Sequence, residues 1–226
     1  MQLLLVRHGE TVGNVERRLQ GVEDPLTERG KRQAHELAVH LASRGDVRSL
    51  YTSPLPRAFE TARTIGDAVA LAPVPRAALA EVNVGNAAGH KFSEWAERYP
   101  EEARHFREGG VDYAWPGGES GLEVAARTAA EIDGIISVHR LERGAVVVVS
   151  HGGALAWIIA HLLHEPRDRW PRDHMQLENC SLTEITIDPH YSQAITFVCR
   201  NEVGHLTPDP MSEVVKEQTR ETRSKV

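Results

Sequence analysis

Four consecutive valines at positions 146–149 constrain this chain more than any other feature. β-branched residues with no polar interruption fit a strand buried on both faces, which belongs inside a parallel sheet covered by helices on either side. The run starts at Ala145, ends in Ser150-His151-Gly152-Gly153 and continues into an apolar helix over 154–163. A second apolar run, 3–6, also ends in a short polar word, Arg7-His8-Gly9. Between and beyond them, strands and helices alternate. Ala34, Leu37, Ala38 and Leu41 recur at helical spacing within 27–43, and Gly45 stops the pattern. A strand is predicted over 47–52, then a helix from Ser53-Pro54 to about 69 with Pro54 in its first turn. A long helix covers 119–138, and strands over 181–187 and 194–200 flank the turn Asp188-Pro189-His190-Tyr191.

This alternation predicts an α/β three-layer sandwich, a mostly parallel central sheet with helices on both faces. The region 79–115 fits the repeat poorly. Residues 79–89 read as a loop of small side chains, 92–107 as two short helices broken near Pro100, and Trp115-Pro116-Gly117-Gly118 as a turn. It is expected to be an insertion forming a lid over one end of the sheet. The domain is then 1–206, with 207–226 as a polar C-terminal tail.

Composition excludes several function classes. Of 226 residues, 26 are Lys or Arg and 32 Asp or Glu, a net charge of −6, which attracts neither nucleic acid nor an anionic membrane. No apolar run approaches the ~20 residues of a membrane helix, and the first residues lack the basic region of a signal peptide. Cys180 and Cys199 are too few for a disulfide framework and are expected as free thiols. A cytoplasmic protein is the expectation.

The chemistry is expected at the carboxyl ends of the strands, where open α/β sheets bind ligands. Most of the twelve histidines read as ordinary surface or core residues. His8 and His151 differ because two strands deliver them to one end of the sheet. Gly152-Gly153, opening a helix, adds backbone N–H groups and a positive dipole end. Arg57, early in the helix after the second strand, projects from the same end, and Arg7 adjoins His8. Two arginines and two histidines make an anion site, with guanidinium forks matched to phosphate oxygens. No cluster has metal-ligand spacing.

These residues, in their order, resemble the histidine phosphatase superfamily, also called phosphoglycerate mutase-like. The blocks are Arg7-His8-Gly9-Glu10-Thr11 with Asn14, and Asp24-Pro25-Leu26-Thr27-Glu28-Arg29-Gly30 with Gln33-Ala34. Ser53-Pro54-Leu55 with Arg57-Ala58 and Thr61-Ala62 follow, then Glu81 with Gly85, Pro116-Gly117-Gly118-Glu119-Ser120, and Ser150-His151-Gly152-Gly153. The resemblance implies that His8 is the nucleophile and carries a phosphohistidine intermediate. It implies that Arg7, Arg57 and His151 bind the phosphoryl oxygens, helped by Asn14 and the Gly152 backbone. Glu81 resembles the proton donor to the leaving oxygen; neighbouring arginines oppose its protonated form, and burial under the 79–89 loop is expected to compensate. Gln20 and Gly21 lie where the family contacts substrate. After Gly85 the chain departs from the family's aromatic and acidic stretch, reading Asn86-Ala87-Ala88-Gly89-His90, which raises His90 as a substrate contact.

His8 must be neutral to attack, and its other ring nitrogen is expected to donate to a backbone carbonyl. Positioned cations suffice for a loose phosphoryl-transfer transition state, so neither metal nor organic cofactor is expected. The expected activity is a metal-independent phosphomonoesterase acting on small phosphorylated metabolites, such as sugar phosphates or phosphoglycerate derivatives. The alternatives are a phosphoglycerate mutase, which the family builds with extra basic, tyrosine-containing segments not seen here, and a weakly active phospho-ligand binding protein. The expected partner is a small phosphate ester, with a homodimer possible through the edge strand of the 181–200 hairpin.

Overall fold

Every residue of β4 (Ala145–Ser150) is buried, as the valine run requires. The structure, a computed structural model, describes residues 1–188 and 194–208. β4 lies between β1 (Gln2–Arg7) and β2 (Val47–Thr52) and runs parallel to both. With β3 (Val74–Pro75), β5 (Leu182–Asp188) and β6 (Ala194–Glu202), the described sheet has the order β3-β2-β4-β1-β5-β6. β5 is antiparallel to β1, and β6 to β5. The expected mixed, mostly parallel α/β architecture is the one observed. No periodicity announces β3, whose two residues include a proline that only a sheet edge tolerates.

Alternate strand residues face opposite layers, which is why both strand faces are apolar. Leu4, Val6, Val147 and Val149 pack against α2 (Glu28–Arg44) and α3 (Pro56–Val69). Leu3, Leu5, Val146 and Val148 pack against α6 (Gly121–His139) and α7 (Gly152–Leu162). A five-residue helix, α1 (Val12–Glu16), follows β1 and was not foreseen; Thr11 and Asn14 close its capping box. Between β3 and α6, α4 (Phe92–Arg98) and α5 (Pro100–Glu108) part at Pro100 as the sequence predicts. Trp95 and Trp115 anchor a third apolar cluster there, together with Val82, Val84 and Trp157.

Three helix starts differ from expectation. Pro56, not Pro54, occupies the first turn of α3, because Leu55 before it is extended (φ −65°, ψ 137°) and becomes the N-cap. α6 begins at Gly121, where Ser120 and Glu123 form a capping box. α7 begins at Gly152, two residues early, because its first N–H groups find a carboxylate acceptor described below. Gly45, at φ 68°, ends α2 as expected. Cys180 and Cys199 are free thiols. The expected 188–191 turn lies, from Pro189, outside the described residues. So does the expected tail from position 209, although Thr207 bonds Glu36 of α2. No described helix is long and apolar enough to cross a membrane.

The loop after β1 is pressed directly onto α2. A Cβ on Gly30 would meet the Glu10 carbonyl oxygen at 2.1 Å and the Glu10 nitrogen at 2.8 Å, both backbone atoms that cannot yield cheaply. Gly134, exposed inside α6, meets nothing within 4 Å. Gly30→Ala is therefore expected to lower unfolding free energy by about 1–3 kcal/mol, and Gly134→Ala to raise it by about 0.5–1 kcal/mol through helix propensity. Denaturant melts of the two variants check both signs.

Candidate active site

Strand register brings the two histidines together. Arg7 of β1 stands opposite Ser150 of β4, so the next residues, His8 and His151, emerge side by side. The His8 N–H donates to the Ser150 carbonyl (3.0 Å) and the Ser53 N–H to the Val149 carbonyl (2.9 Å), carrying the pairing past the strand ends. The imidazole centroids are 5.0 Å apart at an interplanar angle of 58°, and both side chains are buried.

The hydrogen bonds assign each ring a tautomer. His8 Nδ1 lies 2.7 Å from the Gly9 carbonyl oxygen and must donate to it, leaving an unprotonated Nε2. His151 Nε2 lies 2.7 Å from the Ser53 hydroxyl. That oxygen already accepts the Leu55 N–H (3.2 Å), so its own proton is best satisfied by His151 Nε2. His151 Nδ1 then carries the proton and has no protein partner. Burial, followed by the charges of Arg7 and Arg57, holds His8 well below the usual histidine value. Burial again leads for His151, followed by His8, Arg57 and Arg7.

Arg7 donates to the Leu177 carbonyl and Arg57 to the Gly21 carbonyl at 2.8 Å, yet Nε of each is buried without a partner. Burial lowers both guanidinium groups from the usual arginine value, and the Glu81 carboxylate is the largest opposing influence on each. Leaving a buried donor unsatisfied costs about 1–3 kcal/mol. Three such atoms, Arg7 Nε, Arg57 Nε and His151 Nδ1, beside one free imidazole nitrogen form a site short of an anionic acceptor.

Glu81 caps α7. Its carboxylate accepts the N–H groups of Gly153 (3.1 Å), Ala154 (3.0 Å) and Val82 (2.9 Å). Its loop is clamped by Arg127, which donates to the carbonyls of Ala78 (2.7 Å), Ala80 (2.8 Å) and Glu81 (3.1 Å) and forms a two-point pair with Glu119. Asn14 Oδ1 accepts from Thr11 N–H, the Thr11 hydroxyl and Asn179 Nδ2, at 3.0–3.1 Å, which leaves its own amide N–H₂ free to donate. Asn179 also donates to the His8 carbonyl (3.0 Å), tying the β1 loop to the turn before β5. Thr27, Arg29 and Gln33 hold Glu10 and so anchor the same loop on α2.

A cavity of about 540 Å³ opens over these groups, and Arg7, His8, Asn14, Gln20, Glu81 and Gly152 all line it. Arg57 and His151 are buried alongside His8 and do not line it. Gly21 does not line it either; its carbonyl instead receives Arg57. His90, expected as a substrate contact, does not line it either; its carbonyl accepts the Leu19 N–H (2.9 Å) and its N–H donates to the Ala87 carbonyl (3.2 Å). Ser53, Arg127 and Asn179 hold site residues in place and were not singled out for this from the sequence. Among the described residues no three His, Cys, Asp or Glu side chains form a metal-binding group.

The buried histidines make stability depend on pH. Each stays neutral in the fold, whereas the unfolded chain takes up protons below the ordinary value of 6.5, so folding loses ground as pH falls through that point. His8→Asn is expected to lose about 1.4 kcal/mol less stability than wild type between pH ~7.5 and ~5.5. Parallel urea-stability curves for the two proteins would contradict a neutral native His8.

Residues 3–199 match the sequence model of the histidine phosphatase superfamily, branch 1. The chain is 35% identical over 217 residues to a protein of Yersinia enterocolitica named "Probable phosphoglycerate mutase GpmB", covering 95% of this chain and 99% of the relative. Among solved structures it is similar to Bacillus stearothermophilus YhfR, with 30% identity and a TM-score of 0.76 over 90% of this chain and 98% of that one. It is equally similar to a mycobacterial glucosyl-3-phosphoglycerate phosphatase in complex with VO3, with 28% identity and a TM-score of 0.76 over 88% and 97% of the two chains. With its two histidines placed by the first and fourth strands, the chain belongs to the histidine phosphatase superfamily.

Proposed function

We propose that this protein is a metal-independent phosphomonoesterase working through a phosphohistidine on His8. The observation that carries the reading is the set of buried donors without protein partners around His8, together with the free His8 Nε2. In this reading Nε2 attacks phosphorus and the ester oxygen leaves as the alcohol. Arg7, Arg57 and His151 Nδ1 stabilise charge on the equatorial oxygens, with Asn14 Nδ2 and the Gly152 N–H assisting. Water then attacks the phosphohistidine, releasing inorganic phosphate and restoring neutral His8.

Glu81 is the proton carrier. A phosphate monoanion can bring the proton that Glu81 passes to the leaving oxygen, and the carboxylate then accepts a proton from the attacking water. Its attachment to the start of α7 supports this role, because Glu81 and Gly152 at that helix start line the same cavity as His8. In this reading residues 79–115 act as the lid, which is supported by Phe92, Phe106 and Trp115 lining the cavity.

The name of the Yersinia relative supports a second reading, phosphoglycerate mutase, in which the phosphoryl group returns to a reoriented substrate rather than to water. Phosphate release across a panel of phosphomonoesters separates the two, with phosphoglycerate isomerisation followed in parallel. Wild type is expected to release phosphate, His8→Ala to fall by about 10³-fold or more, vanadate to inhibit, and a chelator to change nothing. Isomerisation outpacing release would establish the mutase, and turnover that survives in His8→Ala would remove the mechanism. Glu81→Gln should slow alkyl esters far more than an activated aryl phosphate. Equal slowing of both would take the acid role from Glu81.

A further inference from the structure

The reactive loop after β1 meets one turn, 176–181, at several points. The Leu177 carbonyl receives Arg7, and the Asn179 amide donates to the His8 carbonyl and to Asn14 Oδ1, at 3.0 Å each. The Cys180 N–H is shared between the carbonyls of Arg7 (3.1 Å) and His8 (3.2 Å). Cys180 is left-handed (φ 54°), a conformation that a residue with a Cβ keeps only where its neighbours hold it. Two side chains from much later in the chain do so. Asn201, near the end of β6 and itself left-handed (φ 52°), accepts the Glu178 N–H on Oδ1 (2.7 Å) and donates from Nδ2 to the Gln176 carbonyl (3.1 Å). His205 Nε2 lies 3.0 Å from the Cys180 carbonyl and, since a carbonyl only accepts, donates to it. The half-buried His205 ring is held in its turn. It stacks on His40 of α2 (centroids 5.1 Å apart, 22° between planes), Leu206 packs into the apolar layer under α2, and Thr207 bonds Glu36 through its N–H (3.1 Å) and hydroxyl (2.6 Å). Neither Asn201 nor His205 lines the cavity.

We infer that Asn201 and His205 are positioning residues for the reaction at His8: they fix the 176–181 turn, and the turn fixes the His8 carbonyl and the Asn14 side chain. The His8 carbonyl belongs to the peptide that leads into Gly9, and the Gly9 carbonyl is the acceptor that sets the His8 tautomer. Releasing the turn lets that peptide tilt and takes from Asn14 Oδ1 one of the donors that aim its amide. Small displacements of this kind at reacting groups cost up to about 100-fold in rate. The effect on rate rests on the phosphatase reading, whereas the effect on the His8 ring is read without turnover.

Three variants test it. His205→Leu removes the donor, His205→Gln keeps one within reach, and Asn201→Gly keeps the left-handed backbone while removing both side-chain bonds. With the folded fraction read from urea melts, kcat per folded molecule is expected to fall about 10-fold in His205→Leu and Asn201→Gly at nearly unchanged KM, and His205→Gln to recover most of it. In an Asn179→Ala background His205→Leu should cost little more, because both residues act through the same turn. The ring-nitrogen NMR signals of His8, identified by their loss in His8→Asn, report the tautomer directly. They should move in His205→Leu and Asn201→Gly and stay in place in His205→Gln. An unchanged kcat in His205→Leu, unmoved His8 signals, an equal loss in His205→Gln, or full additivity with Asn179→Ala overturns the inference. If wild type hydrolyses no ester, the phosphatase reading falls, and the His8 signals alone decide the positioning role.

Discussion

The pairing of β1 with β4 is the constraint on which the rest depends. Because Arg7 lies opposite Ser150 in parallel register, one step further along each strand puts two imidazoles side by side, and neither loop has to travel to achieve it. The pairing is held by apolar contacts on both sheet faces, which a slip of one residue would invert. The valines of β4 therefore do chemical work at a distance: burying them sets where His8 and His151 emerge. The glycine contact between Gly9 and Gly30 and the bonds from Asn179 and Glu10 hold the first loop in that position.

Charge follows from burial. Burial first, and the charges of Arg7 and Arg57 after it, hold the two neighbouring histidines well below their usual value, while each arginine keeps a buried donor left over. A nucleophilic imidazole and a cationic anion site usually conflict, since the anion would favour protonating the ring. Here His8 Nδ1 is already engaged by the Gly9 carbonyl, so Nε2 keeps its lone pair. Glu81 balances the two guanidinium groups and at the same time caps α7, which joins the electrostatics of the site to the start of a core helix.

The segment between β3 and α6 contributes a different kind of order. Its aromatic residues pack on one another and, through Trp170, reach Trp157 of α7, so the outer cavity wall is an extension of a core cluster. Arg127 and Glu119 tie the 78–81 loop at its start to α6, and with it the position of Glu81. The histidine end of the cavity is thus held by the sheet, and the opposite wall by a small aromatic core of its own.

Much of this was legible from local patterns. The valine run, the helical spacing of 27–43 and the break at Pro100 each reflect a residue's own preference or its period, so they survive without knowledge of neighbours. The strand-end words at His8 and His151, with Arg7 and Arg57, were legible for the same reason. What the sequence alone could not determine depends on contacts between distant segments. Asn179 reaches His8 only because β5 folds back antiparallel to β1, and Arg127 reaches the Glu81 loop only across the face of α6. His90 looked suited to substrate binding by position, yet it does not line the cavity, although Leu19, its backbone partner, does. Periodicity and short motifs determined the layers and the reactive groups; packing between remote segments decided which of those groups face the cavity, because that choice is made by partners no local pattern encodes.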